Sequence, residues 1–250
     1  MTDWIDSFSR YFKVITADTP KLVEQALRLR YEIYCLEKGY ENPDQFENNL
    51  EQDALDDHSA HGLMIFVPTD VPVGTVRIIL PQVSHQNRLF PIEEHCEFTP
   101  TNEEYQKGHS ILEKIDRIKI AEVSRFSISK SFRKRLGEAK SIHGFADTEQ
   151  ALNKLKDRRF IPHLTVGLVK AMFQLSFENR MKHWFAVMEP KLRNSLLKRF
   201  YLQFHPLGPT VNYRGIRQPY IADIALTANE IRKNDIPLWK LLTKNGEYLS

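Results

Sequence analysis

The stretch Ile120-Ala121-Glu122-Val123-Ser124-Arg125-Phe126-Ser127-Ile128 reads as a β-strand, yet it places Glu122 and Arg125 where a buried strand holds valine or isoleucine. On a regular strand, residues three apart point to opposite faces. Glu122 and Arg125 therefore share one cleft only where the strand is bulged between them.

Outward from this strand, the chain alternates elements. Phe12 to Ala17 reads as a short strand and Thr19 to Gly39 as a helix: Thr19 caps it, Pro20 fills its first turn, and Leu22, Ala26, Leu29, Ile33 and Leu36 recur at three or four. Residues 40–60 are polar and acidic, a loop of the length that is functional or disordered in compact domains. Gly62 to Pro68 and Val73 to Pro81 read as a β-hairpin, and a short helix follows near Pro91 to Cys96. A polar excursion covers 98–113, and a polar, basic insertion falls near 131–160. Beyond it come a helix over Pro162 to Met181, a strand over Lys182 to Glu189, a helix from Pro190, late strands over Gly208 to Gly215 and Gln218 to Leu226, and a terminal helical turn at Ile236 to Leu242. This order predicts a single α/β domain over 1–250, with a mixed central sheet and helices on both faces. A doubly wound nucleotide-binding fold is excluded, because it needs regular βα alternation and a glycine-rich turn after the first strand.

The composition is that of a globular protein, 42% apolar and 27% charged over 250 residues. There is no apolar run of about eighteen residues, and the acidic start "MTDWIDSFSRYF" is unlike a signal peptide, so the expected location is the cytoplasm with no membrane span. Cys35 and Cys96 are too few for a disulfide framework and read as reduced thiols. The net charge of +3 hides a division along the chain: residues 1–113 hold 9 Lys+Arg against 20 Asp+Glu, whereas 114–217 hold 22 against 8. Such a basic section attracts phosphate, nucleic acid or an acidic protein. No recognition helix, RNA-binding sheet motif or zinc finger is legible, so a nucleic-acid-binding module is the lesser alternative. His58 and His61 have a metal-type spacing but lack a well-placed third ligand, so no metal is expected.

Several polar residues sit where pattern does not require them. Arg30 and Tyr34 are one helical turn apart, with Tyr40 beyond; Asp53 and Asp56 stand three apart in the acidic loop; Arg77 lies inside a strand. Each has a bland alternative, a snorkelling arginine, a solvated loop or an exposed sheet face. Taken together, Arg30-x3-Tyr34-x5-Tyr40, Asp53-x2-Asp56, Arg77 and Glu122-x2-Arg125-Phe126 resemble the signature of the acyl-homoserine-lactone synthases, with tyrosines at two positions where that family has phenylalanine and tryptophan. "FPIEEHC" and "AEVSRFSISKSFRKR" look more like two relatives, the acyltransferases associated with exosortase (PEP-CTERM) systems and the N-acyl amino acid synthases.

The resemblance implies a fold of the GCN5-related N-acetyltransferase (GNAT) type, whose fourth and fifth strands splay so that a donor's pantetheine arm lies between them. It implies no tightly bound cofactor, a fatty acyl donor on acyl carrier protein or coenzyme A, and an amine acceptor. Amide formation from a thioester needs a proton acceptor, donors for the oxyanion and an exit for a thiolate. Glu122 is the candidate base, with a structural Glu122 to Arg125 ion pair as the alternative. Arg125 fixes that carboxylate or binds the acceptor's carboxylate. Arg30, Asp53, Asp56 and Arg77, with Tyr34, Tyr40, Ser124 and Phe126, form the expected acceptor-binding and loop-ordering set. "KRLGEA", with Lys134, Arg135 and Gly137, loosely resembles a pyrophosphate loop for coenzyme A. The basic section fits an acidic carrier protein equally well, and acyl carrier protein is the favoured donor. The alternative within the fold is a homoserine-lactone synthase using S-adenosylmethionine.

Overall fold

A computed structural model of the chain describes residues 3–82, 89–130, 132, 161–212 and 215–249. The expected insertion near 131–160, including Lys134, Arg135 and Gly137, lies outside the described residues, Phe132 excepted. The elements are α1 (Asp3–Tyr11), β1 (Phe12–Thr16), α2 (Pro20–Tyr31), β2 (Ser59–Phe66), β3 (Val71–Ile79), α3 (Pro91–His95), α4 (Gln106–Leu112) and β4 (Ile120–Ile128). They continue with α5 (Ile161–Glu178), β5 (His183–Met188), α6 (Pro190–Phe200), β6 (His205–Pro206), β7 (Val211–Asn212), β8 (Ile216–Asp223), α7 (Ile224–Asn234) and α8 (Ile236–Thr243). The eight-stranded sheet runs β1-β2-β3-β4-β5-β8-β6, with β7 on β8. It is mixed, since β4 and β5 are parallel while β5 and β8 are antiparallel. The chain forms two compact units, Met1–Ala54 with His61–Arg77 and Arg125–Met172, and Leu55–Ala60 with Ile78–Ser124 and Phe173–Ser250.

In the first unit, Thr19 caps α2 as expected, its hydroxyl accepting the Leu22 N–H at 3.4 Å. Ala26, Leu29 and Ile33 of the helical run then pack on Leu63 and Ile65 of β2. The strand β1 pairs with β2 from Phe12 opposite Phe66 to Thr16 opposite Gly62. Ahead of it the acidic start folds into α1, which sequence pattern did not disclose: Phe8 is buried and stacks on Phe12, centroids 5.6 Å apart. The end of the second helix departs from expectation. Glu32–Glu37 widens into a π-turn before Gly39, whose φ of 61° ends it.

In the second unit, β8 lies along β5 from His183 opposite Asp223 to Met188 opposite Gln218. Trp184 is fully buried and gives its indole N–H to the Ser176 hydroxyl at 2.7 Å, so the polar end of a large ring is satisfied inside the core. Phe185 anchors the other face with Phe90, Ile92, Ile120 and Leu207. Two helices here were absent from the sequence reading. The helix α4 interrupts the polar excursion, and α7 begins where the last strand was expected to continue to Leu226. Asp223 decides that boundary, because its carboxylate accepts the Leu226 N–H at 2.8 Å and caps a helix instead.

The parallel ladder between β4 and β5 runs from Ile120 opposite His183 to Val123 opposite Ala186 and ends there, although both strands continue. The parallel register between the fourth and fifth strands thus closes at Val123 and Ala186. Gly208 marks another tight point, where an added Cβ would lie 1.9 Å from the Glu97 carbonyl oxygen. We expect Gly208→Ala to lower stability by about 1–3 kcal/mol through overpacking, measured as a shift of the urea midpoint followed by tryptophan fluorescence. An unchanged midpoint would mean that this backbone contact yields freely.

Candidate active site

The first unit gathers most of the polar residues singled out from sequence, around a residue that was not: Glu51. It is 1% exposed, and its backbone N–H bonds the Leu27 carbonyl at 3.2 Å, which pins the acidic loop to α2. Arg30 donates Nε–H to Glu51 Oε2 at 2.5 Å and is itself fully buried, so it is a brace and not a snorkelling side chain. From β4, Arg125 donates to the same carboxylate, Nη2 to Oε1 at 2.6 Å and Nε to both oxygens at 3.1 Å. Asp53 links this pair to β3, accepting from Arg125 Nη2 at 3.1 Å and from Arg77 Nη1 at 2.6 Å. Arg77 is 1% exposed, which rules out the exposed sheet face. Burial acts to raise the Glu51 carboxyl, but the Arg125 hydrogen bonds and the Arg30 and Arg125 charges outweigh it and hold the group below the usual carboxylate range.

The aromatic members close one side of this cluster. The Arg125 guanidinium lies 5.2 Å from the Tyr34 ring centroid, and the Tyr34 and Tyr40 rings are 6.3 Å apart. The π-turn sets this spacing, because the Tyr34 carbonyl accepts the Tyr40 N–H at 2.8 Å. Lys38 Nζ sits over both rings, at 4.9 and 5.4 Å. Burial foremost pushes the Tyr34 phenol up, against the lowering effect of Arg125, so the hydroxyl stays protonated.

Within β4, Arg125 has a φ of 51°, the left-handed region that a non-glycine residue occupies only when its surroundings impose it. The regular alternation of the strand is interrupted at that residue. Arg125 turns to Glu51 and Asp53, with Glu41 at 4.0 Å. At the other end of the strand, Glu37 accepts the Lys130 N–H at 2.8 Å.

In the second unit, Glu122 is 5% exposed and its Oε2 accepts the Ile92 N–H of α3 at 2.9 Å. The Cys96 thiol is nearby; burial first, then the Glu122 charge, pushes it up to about 11. Ser124 is half-buried where the β4 to β5 ladder ends, and Asp56 opens the short turn Asp56–His58. Asp53, by contrast, serves two arginines in the first unit. The half-buried Phe126 follows Arg125. Among the described residues no group of three or more His, Cys, Asp or Glu is placed to hold a metal ion, and no helix is long and apolar enough to cross a membrane.

Residues 29–141 match the family described as the acetyltransferase (GNAT) domain. No curated protein sequence matches the chain. Among solved structures it is similar to TofI, in a ternary complex with an inhibitor and MTA, at 15% identity and a TM-score of 0.54, covering 90% of this chain and 99% of that one. It is also similar to BjaI, a CoA-dependent acyl-homoserine lactone synthase solved with SAM and isopentyl-CoA, at 18% identity and a TM-score of 0.53, covering 89% of this chain and 88% of that one. MesI, another CoA-dependent acyl-homoserine lactone synthase, gives 17% identity and a TM-score of 0.52, with 89% and 93% covered. Likenesses at these identities establish the fold. The chain has the GNAT fold.

The arginine and carboxylate cluster makes an acid-sensitive brace. Removing one partner of a buried ion pair costs roughly 3–5 kcal/mol, so Glu51→Gln should lower the urea midpoint strongly at pH 7. Because the folded carboxyl is held low, its contribution is complete above an unfolded value of about 4.3 and fades as pH falls through the folded value. The difference between wild type and Glu51→Gln should therefore shrink in acid. An equal difference at pH 7 and pH 3 would show that the charge of Glu51 is not what stabilises.

Proposed function

We propose that the protein is an N-acyltransferase that moves a fatty acyl group from a carrier thioester, on acyl carrier protein or coenzyme A, to the amine of an amino acid or related metabolite. The observation that carries this reading is the carboxylate of Glu122, buried on β4 one residue before the β4 to β5 ladder ends. In the fold this reading implies, a pantetheine arm lies beside this strand and backbone N–H groups serve the oxyanion. A carboxylate there takes a proton from the attacking amine, directly or through one water. The C–N bond forms, the C–S bond of the thioester breaks, and the thiolate leaves and is reprotonated from solvent.

The first unit's cluster supports the choice of acceptor class. Arg30 and Glu51 have almost no exposed surface and serve as braces, whereas the side chains of Asp53 and Arg125 are 32% and 15% exposed. An outward-facing carboxylate meets an ammonium group, and an outward-facing guanidinium meets a carboxylate, so the pair matches the two charged ends of an amino acid.

The test is thiol release from an acyl thioester on acyl carrier protein or coenzyme A in the presence of amino acids, with the acylated product identified by mass spectrometry. Glu122→Gln should keep donor binding and lower turnover by about 10² to 10⁴. Unchanged turnover would return Glu122 to a structural role. Asp53→Ala should raise the acceptor's KM, and an effect confined to the donor would count against the acceptor assignment. Methylthioadenosine released from added S-adenosylmethionine would instead make the protein a homoserine-lactone synthase.

A further inference from the structure

Glu122 is held by a helical turn that is itself held. Its Oε2 accepts the N–H of Ile92, the second residue of α3. The next residue, Glu93, folds back over the same turn, its Oε2 accepting the Phe90 N–H at 2.8 Å. Both oxygens of that carboxylate then meet one guanidinium: Arg117 donates Nη1 to Oε1 and Nη2 to Oε2, each at 2.6 Å. The guanidinium also lies 5.9 Å from the centroid of the Phe90 ring, at the entry to the helix. Arg117 belongs to the turn Arg117–Lys119, which leads directly into β4.

With the Arg117 side chain 40% exposed, this pair adds little to stability. Its forked, two-bond geometry fixes direction instead. We infer that Arg117 is a positioning residue for Glu122: through Glu93 it sets the first turn of α3, and so aims the Ile92 N–H that orients the carboxylate. This rests on the reading of Glu122 as the base. An N–H bonded to a carboxylate favours its ionised form, so slackening that turn raises the pH at which Glu122 can accept a proton and blurs its position. Among the described residues, a thiol and an imidazole lie toward Glu122. Cys96, pushed up to about 11, remains a thiol at neutral pH. His183 is on the same face of β5 by register, and its Nε2 lies 3.4 Å from Asp223.

The experiment compares pH profiles of kcat and kcat/KM, with the acyl thioester and amino acid that the wild type uses, across Arg117→Ala, Arg117→Lys, Glu93→Gln, Glu122→Gln and the double variant of Arg117→Ala with Glu122→Gln. Arg117→Ala should lower kcat about tenfold, the scale of one charge-assisted hydrogen bond, leave the donor KM unchanged, and move the acid limb of kcat/KM to higher pH. Lysine at 117 should recover part of the loss, Glu93→Gln should reproduce it, and Arg117→Ala should add nothing once Glu122 is glutamine. The inference is overturned by an unmoved acid limb in both Arg117→Ala and Glu93→Gln, or by a tenfold loss that persists on top of Glu122→Gln. If Glu122→Gln alone keeps wild-type turnover, the base reading falls and this inference with it. If Glu122→Gln loses turnover while Arg117 and Glu93 variants do not, only the positioning role is lost. Circular dichroism checks folding, and Glu93→Gln carries the test should Arg117→Ala fail to fold.

Discussion

The carboxylate of Glu51 is the constraint on which the first unit depends. It is buried with Arg30 beneath it and Arg125 beside it, and a buried charge is tolerable only when its partners and their hydrogen bonds are in place. Those partners come from α2 and β4, with β3 joined through Asp53 and Arg77. A loop without apolar periodicity is thereby tied to the helix and to two strands. The left-handed backbone of Arg125 belongs to the same arrangement, since its guanidinium makes three short contacts to Glu51 from there.

The second unit handles its buried acid differently. Glu122 accepts a backbone amide of α3, a donor that favours the ionised carboxylate. An acid held by an amide keeps its capacity to exchange a proton, whereas one locked between two arginines gives it up.

Much of this was legible in the sequence. Thr19 and Pro20 announced the start of α2, the hairpin followed from two apolar runs around a turn, and β4 was marked by its own composition. Arg30, Tyr34, Tyr40, Asp53, Arg77 and Arg125 were singled out and do assemble. Glu51 was not, because one more acid in an acidic loop carries no periodic signal; its place two residues before Asp53 was the available clue. The helices α1, α4 and α7 were missed for a related reason. They are short and polar on much of their surface, and tertiary packing rather than propensity holds such helices.

By itself the sequence determined the fold class and the kinds of charge that had to be buried, since hydrophobic period sets the elements and misplaced ionisable residues betray a site. The tertiary structure decided which charge meets which. Arg125 meets Glu51 and Asp53 of a distant loop, and Glu122 accepts an amide of α3. Partner choice of this kind rests on distances of a few ångströms between segments far apart in the chain, and spacing along one strand cannot encode them.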